Sequence, residues 1–243
     1  MQQTLQFLLN LSRNNNREWF EQHKAEYTSS RERFTAFSEE YIRRLSELDP
    51  SLAELTPKDC IWRIYRDVRF SNDKRPYKEW FGVFPAAPAP GTSAAKTGGK
   101  KSMRGGYYVH LQPGHCMFAG GIWCPSPELL KVLRKEVIAN YDEVEAIMDA
   151  PAFRRYFTDF DTEWMLKKVP AGYDLSSLPE PHATRVAEWI KRKAFTVSTP
   201  LTDEEVCSPH FMEHLMKIAA AVKPLNDFLN YTFEEYGEFP DRC

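Results

Sequence analysis

A repeat of apolar residues at every seventh position constrains the fold of this chain most strongly. The repeat runs through Phe20, Tyr27, Phe34, Tyr41 and Leu48. Residues seven apart lie two turns apart on the same side of an α-helix. The spacing therefore predicts one long helix from about Arg17 to Leu48, with one face packed on a core. Asn16 is a suitable N-cap for this helix, and Asp49-Pro50 would end it.

The second half of the chain predicts a sheet and a further helix. Gly105 to Trp123 reads as a β-hairpin with Pro113-Gly114 at its turn. Ser208-Pro209 begins a final helix that continues beyond Phe228. Because no linker divides the sequence, we predict a single α+β domain over residues 1–243. It would have a mainly antiparallel sheet, with the β-hairpin packed against the long N-terminal helix and a C-terminal helix.

Two segments have a less regular pattern. Ile61 to Phe70 fits both a helical and a strand template, and its β-branched and aromatic residues favour a strand that leads into a structured loop. Residues 85–103 are rich in Ala, Pro, Gly, Ser and Lys and offer few side chains to bury. This composition predicts a mobile loop.

The charge of the chain is uneven. Between Arg63 and Arg104 there are ten Lys or Arg and three Asp or Glu residues, a local charge of +7 in a chain with a net charge of -2. The overall charge argues against a generally basic nucleic-acid binder. The local excess keeps a basic binding surface open as a hypothesis.

The positions of the cysteines and the lengths of the apolar runs indicate in which cellular compartment the protein resides. The five cysteines are scattered and form no C-x-x-C motif, which favours a reduced cytosolic protein. The first ten residues lack the basic start of a signal peptide. No apolar run reaches the length of a membrane span. We therefore expect a cytoplasmic protein with no membrane partner.

The densest group of charged and aromatic residues lies between Ile61 and Trp80, where an arginine recurs at every third position. Guanidinium groups bind carboxylates and phosphates through paired, planar hydrogen bonds. We therefore predict a site that binds a small phosphorylated or carboxylated ligand. The protein would be either a binding protein or an enzyme that acts on this ligand. The predicted ligand-binding residues are Arg63, Arg66, Arg69, Lys74, Tyr77, Tyr65 and, at the start of the long helix, Trp19.

Two aspartates in the same stretch allow two interpretations. Asp67 and Asp73 are candidates for a general base beside a bound phosphate ester. Alternatively, they pair with the arginines in a structural ion-pair network that fastens the strand to a helix. The sequence has no phosphate loop, dinucleotide fingerprint or nucleophile elbow. It therefore predicts neither a reaction nor a cofactor, and the oligomeric state stays open.

A nucleic-acid or protein-binding module is the alternative function. The basic face would then extend to Lys96, Lys100, Lys101 and Arg104, with Tyr107, Tyr108 and Trp80 as stacking surfaces. For metals, His210, Glu213 and His214 match H-x-x-E-H, but few residues follow that could supply a third ligand. We therefore predict no metal site.

The central stretch also resembles a known family. R-I-Y-R-D-V-R-F-S-N-D-K-R-P-Y, residues 63–77, matches the pattern Arg-x-x-Arg-Asp-x-Arg-Phe-x-x-(Asp or Asn)-Lys-x-x-Tyr of the uncharacterised bacterial and fungal domain-of-unknown-function family 2461. Weaker blocks are similar too: N-N-N-R-E-W-F-E-Q-H-K-A-E-Y, G-G-Y-Y-V-H-L-Q-P-G, L-K-K-V-P-A-G-Y and K-A-F-T-V-S. The resemblance covers essentially the whole chain, although residues 85–103 form a longer insertion than expected. Since the family has no established activity, the resemblance implies a fold and a site location but no reaction.

Overall fold

The computed structural model describes residues 1–69 and 71–239 and confirms the α+β class. Phe70 of the predicted strand and Cys243 lie outside the described residues. Four antiparallel strands form a sheet in the order β1-β2-β3-β4. They are β1 (Phe81–Val83), β2 (Gly106–Leu111), β3 (Cys116–Ile122) and β4 (Phe195–Leu201). The later helices are α4 (Pro57–Cys60), α5 (Ala94–Thr97), α6 (Pro127–Ala139), α7 (Tyr141–Asp149), α8 (Pro151–Arg154), α9 (His182–Ile190), α10 (Asp203–Cys207) and α11 (Phe211–Tyr236).

Three helices precede these, and they divide the predicted long helix in two. The first is α1 (Gln2–Arg13), followed by α2 (Arg17–Gln22) and α3 (Lys24–Leu48). The predicted caps are present, because the Asn16 side chain accepts from the backbone N–H of Trp19 and α3 ends at Asp49. The break is at His23, whose φ of -108° and ψ of 21° leave the helical region. The apolar residues keep their spacing of seven across this break. The spacing therefore does not show that the helix is divided at His23.

The apolar face of α3 packs as the repeat predicts. Phe34 and Tyr41 are fully buried, and the Phe34 ring stacks on Phe81 of β1 with centroids 5.2 Å apart. Strand β1 pairs with β2 so that Gly82 lies opposite His110. Along β2, Tyr107, Val109 and Leu111 are buried while the residues between them are half-exposed. Alternate side chains of β2 thus point to opposite faces of the sheet.

The described chain divides into two compact units. The first comprises Met1–Lys101, Tyr107–Phe118 and Pro200–Lys217, and the second comprises Ser102–Gly106, Ala119–Thr199 and the residues from Ile218 onward. The single domain over residues 1–243 stays a prediction. Within the second unit, the buried Asn226 side chain accepts from the N–H of Gly121 and donates to the carbonyl of Gly106. The candidate site described below lies within the first unit.

In the described part of Ile61 to Phe70, the predicted strand is reduced to two isolated bridges, which join Ile61 to Val83 and Tyr65 to Tyr77. The bridges are four positions apart on one segment and six positions apart on the other. The two segments therefore cannot pair residue for residue between the bridges, and this interrupts the ladder. The strand prediction is therefore wrong in extent, although the segment is extended and paired.

The segment 85–103 has more order than its composition suggests. It contains α5 and a short 3-10 turn, Gly99–Lys101, and it buries Ala86 and Ala94. Gly99 has a φ of +58°, and a Cβ there would lie 2.6 Å from the carbonyl oxygen of Asp59. Only glycine fits such a close approach in a left-handed conformation. The mobility of this loop stays a prediction.

The cysteines differ from the sequence-based prediction. Cys60, Cys116 and Cys207 are free thiols, whereas Cys124 is disulfide-bonded. The prediction of reduced cysteines is thus wrong for Cys124, because spacing along the chain does not report proximity in space. Burial raises the pKa of Cys60 and of Cys116 to about 12, which suits packing rather than thiolate chemistry.

No helix of the described chain is both long enough and apolar enough to cross a lipid bilayer.

Candidate functional site

Two arginines of the central stretch are held by one aspartate. Arg66 donates to Asp73 at 2.5 Å, and Arg75 donates to the same carboxylate at 2.7 and 3.0 Å. Arg75 also reaches Glu79 at 2.5 Å. Hydrogen bonds from Arg75 and Arg66 hold the pKa of Asp73 well below its usual range. We call Arg66, Asp73, Arg75 and Glu79 the acid-paired network. A carboxylate held in this way orients guanidiniums well but is a weak base.

A second pair lies beside this network. Arg69 donates from its side chain to Asp67 at 2.7 and 3.0 Å, and its backbone N–H reaches the same carboxylate. The Arg69 bonds lower the pKa of Asp67 to about 2. Both side chains are largely exposed, and exposed pairs contribute little to stability. Lys74 lies apart and donates to the carbonyl of Val68 at 3.0 Å.

The network is fastened to the N-terminal helices. Asn15 donates to the carbonyl of Tyr77 and to Glu79, both at 3.0 Å, and accepts from the N–H of Tyr77. The Tyr77 ring is buried and stacks on Phe20 with centroids 3.9 Å apart. These contacts give Tyr77 a packing position, whereas Tyr65 remains 48% exposed. Trp19, also predicted as a ligand residue, stacks on His23 at 4.0 Å.

The extended segment before the network presents one open edge. On its paired side, Lys78 N–H donates to the carbonyl of Ile64, and Arg66 N–H donates to that of Pro76. The carbonyls of Ile61, Arg63 and Tyr65 point to the opposite side, because bonding direction alternates along an extended chain. Unpaired strand edges need to be covered by some other group.

Cationic side chains cover this edge. Lys78 Nζ donates to the carbonyls of Arg63 at 2.7 Å and Tyr65 at 3.2 Å. Lys100 Nζ donates to the carbonyl of Ile61 at 3.1 Å and also to that of Lys58. Arg31 of α3 donates at 3.2 Å to the carbonyl of Trp62, which by the same alternation lies on the other side of the segment. Carbonyls two residues apart in an extended chain are about 7 Å apart, so the two ammonium groups are near neighbours.

We call Arg31, Arg63, Lys78 and Lys100 the edge cations. None of the four has a carboxylate within 4.0 Å among the described residues. Burial lowers the pKa of Lys78, and the charges of Arg63 and Arg66 lower it further. Burial also lowers the pKa of Lys100 and of Arg31. Positive charge is thus concentrated here without an ion pair inside the described chain, although Asp59 acts on Lys100 and Asp67 on Arg63 through longer-range electrostatics.

An aromatic patch lies beside the edge cations. It consists of Trp62, Trp80, Tyr108 and His110, all of them half-exposed. The rings of Trp62 and Trp80 meet edge to face at 6.2 Å, and those of Trp62 and Tyr108 at 5.6 Å. Lys78 Nζ lies 5.5 Å from the centroid of the Trp80 ring. The patch and the edge cations therefore form one continuous surface.

Several predicted residues do not reach this surface. Arg104 is buried, where it pairs with Glu238 at 2.9 Å, and Tyr107 is buried with its hydroxyl donating to Asp49. The prediction of these two as nucleic-acid contacts is wrong, because strand alternation turns Tyr107 into the core. Sequence reasoning missed Arg31, Trp62 and His110. The alternation in β2 pointed to Tyr108 and His110 sharing a face, but no sequence pattern linked α3 to residue 62.

No group of three or more His, Cys, Asp or Glu side chains in residues 1–69 and 71–239 is placed to hold a metal ion. His210 and Glu213 of the H-x-x-E-H sequence lie 3.4 Å apart at the start of α11, and both are well exposed.

Comparison with known proteins gives a family. No curated protein and no solved structure matches the sequence. Residues 3–228 match the model of a family described as conserved hypothetical protein (DUF2461). The match covers most of the sequence and includes the acid-paired network, the edge cations and the aromatic patch. This chain therefore belongs to the DUF2461 family of conserved hypothetical proteins.

Proposed function

We propose that this protein binds a small anionic ligand, phosphorylated or carboxylated, at the edge cations. The observation that carries the proposal is a difference in neutralisation. Arg66, Arg69 and Arg75 each have an aspartate partner, whereas the edge cations have none among the described residues. A half-buried cation without a counter-ion is costly, and a bound anion would relieve that cost.

The proposal divides the predicted anion site into two parts. Arg63 and Lys78 contact the anion, and Arg31 and Lys100 add to the positive field around it. Arg66 lies at the boundary, since it lowers the pKa of Lys78 and is itself held by Asp73. Arg69 and Lys74 have local partners and belong to the support of the loop. In this proposal the aspartates and their arginine partners support the loop, as in the structural interpretation. Arg63 and Lys78 bind the ligand, as in the binding interpretation.

Arg63 is the residue on which to test the proposal. It is exposed, and in the described part of the chain its side chain donates to no carbonyl, so Arg63→Gln should fold normally. Isothermal titration calorimetry with inorganic phosphate, pyrophosphate and citrate would compare it with the wild type. We expect Arg63→Gln to weaken binding by about tenfold or more, since a hydrogen bond to a charged group contributes about 1.5–3 kcal/mol.

Arg33→Gln is the matched control. Arg33 lies on α3 two residues from Arg31, is exposed, and donates to Ser29 at 2.6 Å. Its replacement changes the net charge equally and should leave the affinity unchanged. Equal affinities for wild type, Arg63→Gln and Arg33→Gln, or no binding of any of the three anions to the wild type, would contradict the proposal.

A further inference from the structure

We infer that the ligand of the edge cations carries a planar heterocycle beside its anionic group, as a nucleoside phosphate does, and that this ring binds on the aromatic patch. The inference rests on the proposed function, because the anionic group is placed at Lys78 and Arg63. It adds a second subsite and a chemical class of ligand. Four observations within the first unit support it.

The first observation is where the patch lies. Strand β2 sends Tyr107, Val109 and Leu111 into the core, which leaves Tyr108 and His110 on the other face. A purely structural face of this kind is normally polar where it meets water. Here it carries two tryptophans and a tyrosine, which are contiguous and all half-buried. A contiguous aromatic surface that still reaches water is typical of a site that binds a partner or ligand.

The second observation is Gly82, which forms the floor of the patch. A Cβ at this position would lie 2.9 Å from the Trp80 ring and 3.0 Å from Tyr108. The two rings therefore lie directly over the strand, in space that any larger side chain would occupy. The absence of a side chain at residue 82 thus lets both rings lie flat against the strand, where they can form one surface.

The third observation is the distance to the positive charge. Lys78 Nζ is 5.5 Å from the centre of the Trp80 ring and also donates to the carbonyl of Arg63. Because Lys78 lies over one face of Trp80, a planar ring stacked on the neighbouring Trp62 would place a linked phosphate near Lys78 and Arg63. This separation is comparable to that between the base and the 5′-phosphate of a nucleotide. Single-stranded nucleic acids are bound by the same combination of aromatic rings and cations.

The fourth observation is a polar chain at the rim of the patch. Tyr108 Oη and His110 Nδ1 are 2.7 Å apart, and His110 Nε2 is 3.1 Å from Gln112 Oε1. Tyr108 donates to Nδ1 and Nε2–H donates to Gln112, which is the pattern of a neutral imidazole. Burial lowers the pKa of His110, in agreement with this state. The Gln112 amide NH₂ has no acceptor among the residues described, so it can donate to an oxygen or nitrogen at the edge of a heterocycle.

The test compares ligands that contain one or both parts of the proposed pair. Calorimetry on the full chain would use adenosine and uridine 5′-monophosphates, ribose 5-phosphate as phosphate without a base, and adenosine as base without a phosphate. For the wild type we expect at least one nucleotide to bind about tenfold or more tightly than ribose 5-phosphate, from stacking of the base. In Trp62→Leu this preference should disappear, while the affinity for ribose 5-phosphate stays unchanged.

Two controls keep the result interpretable. Trp164→Leu removes a tryptophan that is 53% exposed in the second unit, and it should leave the preference intact. Trp62→Phe preserves packing if Trp62→Leu is poorly folded, and it should reduce the preference partially. Six-residue single-stranded oligonucleotides form a further arm. Binding tighter than that of the mononucleotide, with a strong salt dependence, would identify a nucleic-acid strand as the source of the heterocycle; weaker binding would identify the free nucleotide.

The two proposals fail in different ways. If ribose 5-phosphate and both nucleotides bind the wild type equally, and Arg63→Gln weakens all of them, the ring subsite is wrong and the anion site stands. A preference for nucleotides that persists in Trp62→Leu and Trp62→Phe also overturns the ring subsite. If no phosphate binds in an Arg63-dependent manner, the proposed function itself is wrong.

Discussion

The acid-paired network and the edge cations arise from the same short stretch of sequence, but they differ in how their charge is balanced. In the network, Asp73 accepts from both Arg66 and Arg75, so each positive group meets a carboxylate. At the edge, Lys78 and Lys100 meet only backbone carbonyls. A carbonyl supplies a hydrogen bond but no net negative charge. The network is therefore electrostatically complete in itself, whereas the edge has no carboxylate at ion-pair distance among the described residues.

The comparison shows why a count of arginines is a poor guide to a binding site. Three arginines at every third position suggested one anion pocket, yet two of them have aspartate partners. Lys78, which is not among the predicted ligand-binding residues, has no carboxylate within ion-pair distance in the described chain. Guanidinium groups that are already paired hold the loop in shape, and the loop in turn presents Arg63 and Lys78. Substitutions in the acid-paired network should alter the stability of the fold, and substitutions at Arg63 or Lys78 should alter the binding of an anion.

The largest effect on stability is expected at the aromatic support of the network. Tyr77 is 4% exposed and stacks on Phe20. Tyr77→Ala should lower the free energy of unfolding by about 3–5 kcal/mol, because it leaves a cavity where a large ring was packed. Urea denaturation would measure the loss.

The conservative variant at the same position tests the division of roles. Tyr77→Phe keeps the ring, so we expect a stability within about 1 kcal/mol of the wild type and an unchanged affinity for phosphate. Weakened phosphate binding in a stable Tyr77→Phe protein would assign the hydroxyl to the ligand, as the sequence predicts, and would contradict the packing role given to Tyr77 here.

The next largest effect is expected at Gly99, which positions Lys100. A left-handed residue with a side chain costs about 1–2 kcal/mol, and a Cβ there also meets the Asp59 carbonyl. Gly99→Ala should therefore destabilise by about 2–4 kcal/mol in thermal unfolding. It should also weaken phosphate binding, because Lys100 is displaced.

Gly91→Ala provides the control for Gly99→Ala. Gly91 has a similar φ of +72° but no atom within 4 Å of a Cβ. It should show only the backbone cost and no change in affinity. Equal losses in the two variants would mean that the contact at Asp59 relaxes freely, and that Gly99 does not hold Lys100 in place.

These cases also show what the sequence can and cannot predict. The apolar repeat predicts α3 and its buried face because helical packing is periodic along the chain. The turn at Pro113-Gly114 and the cap at Asn16 are local, and both elements that they begin are found. The break at His23 was missed because it preserves the apolar repeat, and the interrupted strand at residues 61–65 was missed because its register depends on the partner segment.

The sequence predicts the stretch in which the candidate site lies, but it does not predict all of the residues that form the site. The stretch containing Arg63 and Arg66 could be identified from composition alone. Arg31 and Lys100 bind the backbone of the same extended segment from positions about 30 and 40 residues away, and no local pattern encodes that meeting. Which acid pairs with which base is likewise determined only in the folded chain. Asp73 pairs with Arg75, which is not among the residues predicted for the site.

A smaller effect is expected when the aspartates of the stretch are titrated. The folded-state pKa values of Asp73 and Asp67 are lowered, that of Asp67 from 3.8 to about 2. Stabilisation from such a group is present above its unfolded pKa and is lost as the pH falls through the folded pKa. The melting temperature of the wild type should therefore fall between about pH 4 and pH 2, and less so in Asp73→Asn. Because both groups are exposed, added salt should reduce the difference.

Glu39→Gln is the control for that acid titration. Glu39 is an exposed carboxylate on α3 without a salt bridge in the described chain. Its replacement should leave the acid profile of the wild type unchanged. If Asp73→Asn and Glu39→Gln give the same profile as the wild type, the acid-paired network contributes no measurable pH dependence, and the contrast with the edge cations loses its thermodynamic support.

The smallest effect concerns the edge and is a change of affinity with alkaline pH. Burial and the charges of Arg63 and Arg66 lower the pKa of Lys78. An anion favours the protonated amine, so affinity should fall as the pH rises through that lowered pKa. Sulfate is the suitable probe, because its own charge is constant there. We expect a loss of a few-fold or less between about pH 7 and pH 10, measured by calorimetry.

Lys78→Arg separates this titration from other alkaline effects, since a guanidinium stays charged throughout the range. The variant should bind sulfate with a flatter pH profile than the wild type, even if the different shape of the side chain changes the affinity itself. Identical profiles for the two proteins would mean that Lys78 is not the titrating group at the site. The unopposed charge that distinguishes the edge from the acid-paired network would then have to be attributed to Arg31 and Arg63, which do not titrate in this range.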